Sequence, residues 1–388
     1  MLRLGSIGAG GRGMISKISH RPDQNSQLVA ICDQRSEVLD HYRQTVSPTL
    51  RGYADYRRML DSEKLDGVFI TTPDYLHEEM AVAALERGLA VYLEKPLAIT
   101  IEGCDRILLT ASRNNAKLYV GHNMRFFPVV KEMKRIIESG RIGEVQAIWC
   151  RHFVSYGGDA YFKDWHSERR YSTGLLLQKG AHDIDVIHHL AGAFTSRTTA
   201  MGRLSVYNRM GKRRALSDTG DAKFGDTWPP ERQSGLSPVI DVEDHSMVLM
   251  QLANGAQASY QQCHYTPDAY RSYTVIGTAG RIENFGDYSS DDQKAVIRVW
   301  DHRTNAYSPD ANEQIVVSAE RDGGHGGADT VIVEDFLNYI RTGKRLGATP
   351  LAARQAVAVG CLATESLRSG NQAFDVPALP PEVASWTD

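Results

Sequence analysis

A glycine-rich turn follows the first apolar run of the chain and reads Ser6-Ile-Gly-Ala-Gly-Gly-Arg-Gly13. Glycine loses more backbone freedom on folding than any other residue, so four glycines here indicate a close approach that a side chain would block. Gly8, Gly10 and Gly13 have the GxGxxG spacing that joins a strand to a helix in dinucleotide-binding folds. In such folds the first glycine makes the turn, the second admits a pyrophosphate, and the third lets the helix pack on the strand. The turn therefore predicts a dinucleotide site at the start of the chain.

Up to about residue 123, short β-like runs alternate with helix-length segments. The β-like runs end at Gly8, Asp33, Pro73, Pro96 and Asn123. The helical segment 76–88 has an apolar face and ends at Gly88. Because such an alternation is typical of a parallel, doubly wound sheet, we predict a Rossmann domain over residues 1–123.

After residue 123 the pattern changes to antiparallel β-sheet with a few helices. Hairpin turns are indicated at Asn254–Gly255 and at 277–280. Residues 208–240 are polar and rich in Gly, Pro and Arg, which predicts a long surface loop or insertion. We therefore predict a second, α/β domain over residues 124–388. Its predicted helices are 128–140, 174–192, 328–342 and 349–369.

The charge balance gives no reason to expect a nucleic-acid or membrane partner. Lys and Arg total 44 and Asp and Glu total 47, a formal net charge of −3. No run approaches the ~18 to 20 apolar residues of a membrane span, and we expect no secretory leader. The five cysteines are scattered singly, as is typical of reduced thiols. We therefore expect a cytoplasmic protein.

Asp33 ends the second β-like run, about 20 residues beyond the glycine turn. A carboxylate at this place binds both hydroxyls of an adenosine ribose and repels a 2′-phosphate, so NAD is favoured over NADP. Arg35 softens that preference if its charge reaches a phosphate. The alternative is that Arg35 is a solvent-facing side chain.

Lys95 stands in the sequence Glu94-Lys95-Pro96 at the end of another predicted strand. Ligands of open parallel sheets bind beyond the carboxyl ends of the strands, which places Lys95 at the cofactor crevice. The following proline restricts the backbone of Lys95 and so fixes where its side chain points. A lysine in such a crevice indicates an anionic group or a proton to be moved, whereas the alternative is an ion pair with Glu94.

Five motifs together make the chain resemble the glucose-fructose oxidoreductase, inositol dehydrogenase and MocA-like (Gfo/Idh/MocA) family. The resemblance covers nearly the whole chain. It implies a Rossmann domain followed by an α/β domain with a large, mostly antiparallel open sheet that often forms dimer or tetramer contacts. It also implies NAD(P)-dependent chemistry on sugars, inositols and their derivatives. The motifs are SIGAGGRG (6–13), TTPDYLH (71–77), LEKPLA (93–98), GHNMRFFP (121–128) and KGAHDIDVIHHLAG (179–192).

The resemblance also implies roles for single residues. Lys95 would contact the substrate hydroxyl and the nicotinamide ribose, with Glu94 and Asn123 near the nicotinamide. Arg125 would either reach the substrate or support the loop between the domains. The predicted cofactor-binding residues are Gly8, Gly10, Gly11, Arg12, Gly13, Asp33, Arg35, Thr72, Pro73, His77, Glu94, Lys95 and Asn123.

His182 is the candidate acid/base on the predicted helix 174–192, because histidine titrates near neutral pH and the resemblance implies an acid/base at this place. The alternative is a buried histidine whose hydrogen bonds are satisfied within the protein. Many family members carry an aspartate four residues before it, where this chain has Gln178, which cannot accept a proton. Lys179 lies three residues before His182. In one hypothesis it takes over part of the role of the missing aspartate, and in the other it is a surface lysine. We predict Lys95, His182 and Lys179 as catalytic residues.

The same helix invites a metal hypothesis, which its spacing disfavours. Asp183, Asp185, His188 and His189 follow closely, but on one helix their side chains point to different faces. We therefore predict no metal site.

Further substrate contacts are expected in two loops. Tyr161, Trp165 and His166 combine aromatic rings with polar groups, as suits a sugar, although ordinary loop packing explains them nearly as well. In one hypothesis His325 or Asp329 closes over the substrate, whereas in the other Asp329 merely caps a helix. The predicted substrate-binding residues are Lys95, Arg125, Tyr161, Trp165, His166, Gln178, Lys179, His182 and His325.

Three functions fit these residues. The first is an NAD-dependent dehydrogenase that moves a hydride between a ring hydroxyl carbon of a sugar, inositol or glycoside and nicotinamide. The second is a glycosidase or lyase that oxidises its substrate transiently and eliminates a group. The third is a non-catalytic dinucleotide or sugar sensor, against which the presence of both Lys95 and His182 argues.

Overall fold

A computed structural model describes residues 1–215, 225, 227–287, 294–306, 308–318 and 323–384. The chain forms two compact units. Unit 1 comprises Met1–Phe126, Gly327–Arg354 and Ala378–Asp388, and unit 2 comprises Phe127–Gly326 and Gln355–Pro377. Two late segments therefore pack with the N-terminal residues. This division by compactness differs from the predicted functional domains, 1–123 and 124–388, which stay a prediction.

Strands and helices follow one another along the whole described chain. The strands are β1 Leu2–Ile7, β2 Ser26–Cys32, β3 Arg51–Tyr53, β4 Gly67–Ile70, β5 Ala90–Leu93, β6 Leu118–Val120, β7 Val145–Phe153, β8 Thr195–Arg203, β9 His245–Leu252, β10 Gln257–Cys263, β11 Tyr270–Gly277, β12 Arg281–Phe285, β13 Ala295–Trp300, β14 Glu313–Val317 and β15 Phe374–Asp375. The α-helices are α1 Ser36–Thr45, α2 Tyr56–Ser62, α3 His77–Leu85, α4 Ile101–Arg113, α5 Pro128–Glu138, α6 Gly157–Tyr161, α7 Arg169–Ser172, α8 Leu175–Gln178, α9 Gly180–Ala191, α10 Ala328–Thr342, α11 Pro350–Arg368 and α12 Pro381–Ala384. Short 3₁₀-helices cover Gly11–Ser19, Pro22–Gln24, Asp74–Leu76, Asn123–Phe126, Trp165–Ser167 and Pro230–Arg232.

Unit 1 is built on a parallel sheet with strand order β3-β2-β1-β4-β5-β6. The inner strands β4 and β5 are buried along their whole length, as expected where helices cover both faces. The strand order reverses between β1 and β4, and such a switch point is where open α/β sheets bind ligands. The glycine turn directly follows β1 and so lies at this switch point.

Unit 2 is built on a mixed, mostly antiparallel sheet with strand order β14-β13-β12-β11-β7-β10-β9-β8-β15. Its one parallel pair within the described residues is β7 with β10. Helix α9 packs on the inner face of these strands, and a Cβ on Gly180 would lie 3.0 Å from the Tyr260 ring. This architecture confirms the predicted fold class.

The outer face of the unit 2 sheet exposes a row of large apolar side chains. Met201 on β8 lies directly opposite Met247 on β9, and both are more than half exposed. Leu249 is paired with Ser259, which in turn is paired with Trp149 on β7. Exposed apolar side chains that adjoin one another commonly mark an interaction surface.

The structure differs from the predicted elements in four places. The glycine turn is followed by a 3₁₀-helix, and the short edge strand β3 was not predicted because its residues lack an apolar run. The predicted helix 174–192 is divided into α8 and α9 at Lys179. Within 208–240, Leu236 is fully buried in an apolar cluster with Phe162, so that part is not a surface loop; residues 216–224 and 226 lie outside the described residues. In the described ranges, none of the helices is long and apolar enough to cross a membrane.

Candidate functional site

The glycine turn is packed too closely for side chains at two of its positions. Gly8 has a φ of +79°, and a Cβ there would lie 2.8 Å from the Thr72 backbone nitrogen. A Cβ on Gly13 would lie 2.0 Å from the Gly8 carbonyl oxygen. A larger residue would separate the turn from β4 and from the 3₁₀-helix. Gly8 and Gly13 therefore allow the tight turn and the close packing that the motif predicts.

Asp33 is bonded directly to the glycine turn. The backbone N–H groups of Ala9 and Gly10 donate to its Oδ2, both at 3.1 Å, while the backbone N–H and Nε of Arg35 donate to Oδ1 at 3.0 and 3.2 Å. The atoms nearest to a Cβ on Gly10 would be those of the Arg35 guanidinium, whose side chain is 46% exposed. The backbone at Gly10 is therefore covered by one flexible side chain, and these residues fit an adenosine ribose and a pyrophosphate.

The side chain of Arg12 in the glycine turn binds two carboxylates elsewhere in unit 1. Its Nε donates to Glu94 at 2.8 Å, and its two Nη atoms donate to Asp329 on α10 at 2.7 and 2.9 Å. Asn123 also donates to Asp329, at 3.1 Å. Burial would lower the pKa of Arg12, but the charges of Glu94 and Asp329 more than offset this, so the pKa is raised. Four residues from distant parts of the sequence thus form one charged network.

The pairing of Asp329 with Arg12 was not predicted from the sequence. It lies in the first turn of α10, which begins after Gly327 without a side-chain cap. The capping hypothesis for Asp329 is therefore wrong, because its carboxylate is engaged by Arg12 and Asn123. No local pattern signals a pairing across 317 positions.

His77 links the backbones that flank the predicted site. Its Nδ1 lies 2.7 Å from the Pro96 carbonyl and its Nε2 lies 2.9 Å from the Thr72 carbonyl. The ring is fully buried, which lowers the pKa of His77. The loop after β4, which contains Thr72 and Pro73, is thereby held against the segment that follows Lys95.

Lys95 lies two residues beyond the end of β5, at the carboxyl end of the parallel sheet. Its backbone N–H donates to Glu94 Oε2 at 3.2 Å, and Tyr92 donates to Glu94 Oε1 at 3.1 Å. Glu94 is thus fixed from several sides and orders the backbone at Lys95. The part played by Lys95 in a reaction stays a prediction.

In unit 2 the structure brings several of the predicted substrate residues together. Lys179, at the junction of α8 and α9, donates a hydrogen bond to the Tyr161 hydroxyl, and its Nζ lies 5.8 Å from the ring centroid. The Tyr161 ring meets the His166 ring edge-on, with centroids 5.4 Å apart. Trp165 stacks on His166 at 3.7 Å. Gln178 and His182, which lie on either side of Lys179, are both buried.

Two further predicted residues lie apart from that group in the sequence. Arg125 lies in the 3₁₀-helix Asn123–Phe126 of unit 1 and is partly buried. His325 of unit 2 has a φ of 54°, and its ring stacks on Phe127 with centroids 6.1 Å apart. Their roles in substrate binding stay predictions.

A buried ion cluster beneath α9 was not predicted. Asp183 is fully buried and lies 2.7 Å from Arg271 Nε and 3.3 Å from His152 Nδ1, while Tyr273 and Cys150 donate to its Oδ1. Burial would raise the pKa of Asp183, but Arg271 and His152 outweigh it and hold this pKa well below its usual range. The signal available in the sequence was the set of polar residues at inward positions of β7 and β11.

Metal binding finds no support in the described ranges, where no group of three or more His, Cys, Asp or Glu side chains could hold an ion. His188 instead bonds through Nε2 to the Thr195 hydroxyl at 2.8 Å. Asp183 is occupied by Arg271.

The family of the chain follows from its match to two sequence models of the Gfo/Idh/MocA family. Residues 2–122 match "Oxidoreductase family, NAD-binding Rossmann fold", and residues 134–374 match "Oxidoreductase family, C-terminal alpha/beta domain". The chain therefore belongs to the Gfo/Idh/MocA oxidoreductases, and the resemblance seen in its motifs is confirmed.

Individual relatives differ in the activity that their names state. The chain is 25% identical over 355 residues to the putative oxidoreductase YteT of Bacillus subtilis, covering 81% of this chain and 80% of that protein. It is 23% identical over 404 residues to an alpha-N-acetylgalactosaminidase of Shewanella oneidensis, covering 97% and 84%. It is 28% identical over 242 residues to the levoglucosan dehydrogenase of Pseudarthrobacter phenanthrenivorans, covering 59% and 57%. A solved levoglucosan dehydrogenase complex with NADH shares the fold, with a TM-score of 0.76, 21% identity, and coverage of 97% of this chain and 99% of that chain.

The buried imidazole of His152 predicts a pH-dependent stability. Burial and Arg271 lower the pKa of His152 to about 3, whereas an unfolded histidine has a pKa of about 6.5. When folding lowers the pKa of a base, its contribution to the free energy of unfolding is complete above the pKa of the unfolded state. For His152 this contribution falls as the pH drops from about 6.5 toward 3. Between pH 7.5 and 5.0, wild-type protein should lose about 2 kcal/mol of unfolding free energy that His152→Gln does not lose.

Urea unfolding at the two pH values measures this difference. Asp183 does not contribute in this window, because an unfolded aspartate takes up its proton only near pH 4. The substitution His41→Gln, at an exposed position, is the matched control and should keep the wild-type dependence. Equal losses in wild type and His152→Gln would contradict the role of His152.

Proposed function

We propose that this protein is an NAD-dependent dehydrogenase that transfers a hydride between a ring hydroxyl carbon of a sugar, inositol or glycoside and nicotinamide. The observation that carries the proposal is the bonding of Asp33 to the glycine turn at the switch point of a parallel sheet. Membership of an oxidoreductase family with a levoglucosan dehydrogenase among the relatives supports the reaction class.

In this mechanism the chain's own residues handle the proton. When bound, the oxidised nicotinamide supplies the hydride acceptor. The Lys95 ammonium polarises the substrate hydroxyl, and His182 takes its proton as the general base. Lys179 takes the place of the absent aspartate by orienting the substrate, since Gln178 cannot accept a proton.

A second candidate is a glycosidase that works by transient oxidation and elimination. The relative named alpha-N-acetylgalactosaminidase, aligned over 97% of this chain, favours keeping it. The two reactions differ in their products, because a dehydrogenase accumulates NADH whereas an eliminating glycosidase releases an aglycone without net NADH. A panel of free sugars, inositols and nitrophenyl glycosides separates them.

Substitution of Lys95 tests the assignment of the catalytic lysine. Lys95→Met should lower kcat by about 100-fold or more, because it removes a group that takes part in proton transfer. NAD affinity, measured by calorimetry, should stay within about threefold of wild type, because the glycine turn and Asp33 are untouched.

Lys64→Met is the matched control, since it removes an exposed lysine of unit 1 and should keep the wild-type kcat. A Lys95→Met enzyme with the wild-type kcat would contradict the mechanism. Loss of dinucleotide binding in that variant would instead show that Lys95 mainly binds the cofactor.

Asp33 and Arg35 should set the choice between NAD and NADP. We expect wild type to bind NAD more tightly, because the Asp33 carboxylate repels a 2′-phosphate. Asp33→Ser should shift the ratio of the two dissociation constants toward NADP by about tenfold or more, since Arg35 then faces the phosphate without competition. Calorimetric titration with each dinucleotide measures the ratio without needing a substrate.

Arg35→Met in the Asp33→Ser background serves as the control. It should cancel the gain in NADP affinity while leaving NAD affinity nearly unchanged. An unaltered ratio in Asp33→Ser would show that another residue selects the cofactor.

We further propose that the enzyme is a homodimer or homotetramer assembled through the outer face of the unit 2 sheet. The adjoining apolar side chains of Met201, Met247 and Leu249 support this surface. The double substitution Met247→Glu and Leu249→Glu should convert the assembly to monomers in light scattering coupled to size exclusion. Leu346→Glu, at an exposed leucine of unit 1, should leave the assembly intact; a monomeric wild type would refute the proposal.

A further inference from the structure

Lys179 carries a positive charge without a carboxylate partner in the part of the chain that the structure describes. Its side-chain hydrogen bond is to the Tyr161 hydroxyl, and the residue is partly buried. Burial would lower the pKa of Lys179, but its interactions with Tyr161 and Tyr156 raise it above the ordinary value, so the ammonium is charged at neutral pH. Charged groups removed from water are normally paired, so this ammonium is suited to an anionic partner.

Two carboxylates of unit 2 that lie near these residues in the sequence, those of Asp183 and Asp164, are committed to other groups. Asp183 is paired with Arg271 at 2.7 Å. Asp164 Oδ1 lies 2.6 Å from His166 Nδ1 and also accepts the His166 backbone N–H. Neither carboxylate forms an ion pair with Lys179, so the protein itself does not supply the missing charge at this point.

A second lysine of unit 2 shows how this fold pairs a buried ammonium when the charge is structural. Lys163 is buried, and its Nζ donates to the buried Asp159 carboxylate at 2.6 Å. Gln233 donates to the other oxygen of the same carboxylate at 3.1 Å. Lys163 therefore has the partner that Lys179 lacks among the described residues, which marks Lys179 as a ligand-binding rather than a structural cation.

Unused hydrogen-bonding capacity lies beside the same tyrosine. The His264 ring meets Tyr161 edge-on, with centroids 5.2 Å apart, and is fully buried. Within the described ranges, neither ring nitrogen of His264 has a hydrogen-bond partner. Buried polar atoms are nearly always bonded, so the His264 imidazole leaves a donor and an acceptor open beside Tyr161.

From these contacts we propose that Lys179 and Tyr161 bind a carboxylate of the substrate, which is therefore an acidic ring sugar such as a uronic acid. The proposal rests on the proposed dehydrogenase function and narrows its substrate class. One ammonium and one phenol hydroxyl match the two oxygens and single charge of a carboxylate. A phosphate, with more charge and more acceptor oxygens, is typically held by an Arg fork or by several donors.

Matched pairs of substrates test this class. NADH formation is compared for glucose against glucuronate and for galactose against galacturonate, with glucose 6-phosphate as a third anion. We expect kcat/KM to be at least about tenfold higher for the acid of each pair, as a hydrogen bond to a charged group would give. A preference for the neutral sugars, or for the phosphate, would overturn the proposal.

Variants at Lys179 connect the preference to this side chain. Lys179→Met should bring the ratio of kcat/KM values for acid and neutral sugar close to one, while Lys179→Arg should keep most of it. Lys134→Met, which removes another cation of unit 2, controls for the change in net charge and should keep the wild-type ratio. An unchanged ratio in Lys179→Met would overturn the role of Lys179.

Direct binding separates a failure of this inference from a failure of the proposed function. Calorimetry should show glucuronate bound at least about tenfold more tightly than glucose by wild type, and Lys179→Met and Tyr161→Phe should both weaken glucuronate binding. Tight glucuronate binding without NADH from any sugar would refute the dehydrogenase and leave the acid site standing. NADH formation from neutral sugars alone would refute the acid site and leave the dehydrogenase function standing.

Discussion

The structure of unit 1 depends on the close packing of one backbone segment against another at the glycine turn. A Cβ on Gly13 would lie only 2.0 Å from the Gly8 carbonyl oxygen. A larger residue at Gly13 would therefore push the 3₁₀-helix away from β1. This same closeness lets the N–H groups of Ala9 and Gly10 reach Asp33. Steric exclusion at the turn therefore sets the position of the carboxylate that would select the cofactor.

Unit 2 depends on a different interaction, the buried charge of Asp183. Its partners come from β7 and β11, whereas Asp183 itself lies in the first turns of α9 next to His182. A buried ion pair contributes little net stability, yet breaking one is costly because a bare charge remains. The cluster thereby fixes the position of α9 on the sheet, and with it the backbone that carries Lys179 and His182.

Local patterns predicted much of this molecule, and contacts between distant segments account for what they missed. The turn and Asp33 were predictable because strand, glycine spacing and carboxylate lie within one β-α-β unit, and the family motifs gave the fold of both domains. The pairing of Arg12 with Asp329 was not predictable, since nothing local to either residue specifies the other. The ion cluster around Asp183 was not predictable from local patterns either, because its members come from α9, β7 and β11, which lie far apart in the sequence.

The Arg12 network also has a consequence for how the sequence can diverge. Its guanidinium is shared between Glu94 and Asp329, so replacing Arg12 leaves two carboxylates without their shared cation in a largely buried place. Tolerated changes at these positions are therefore expected to arise together among descendants of this gene. Co-variation would then tie the glycine turn to the start of α10, although more than 300 positions of chain separate them.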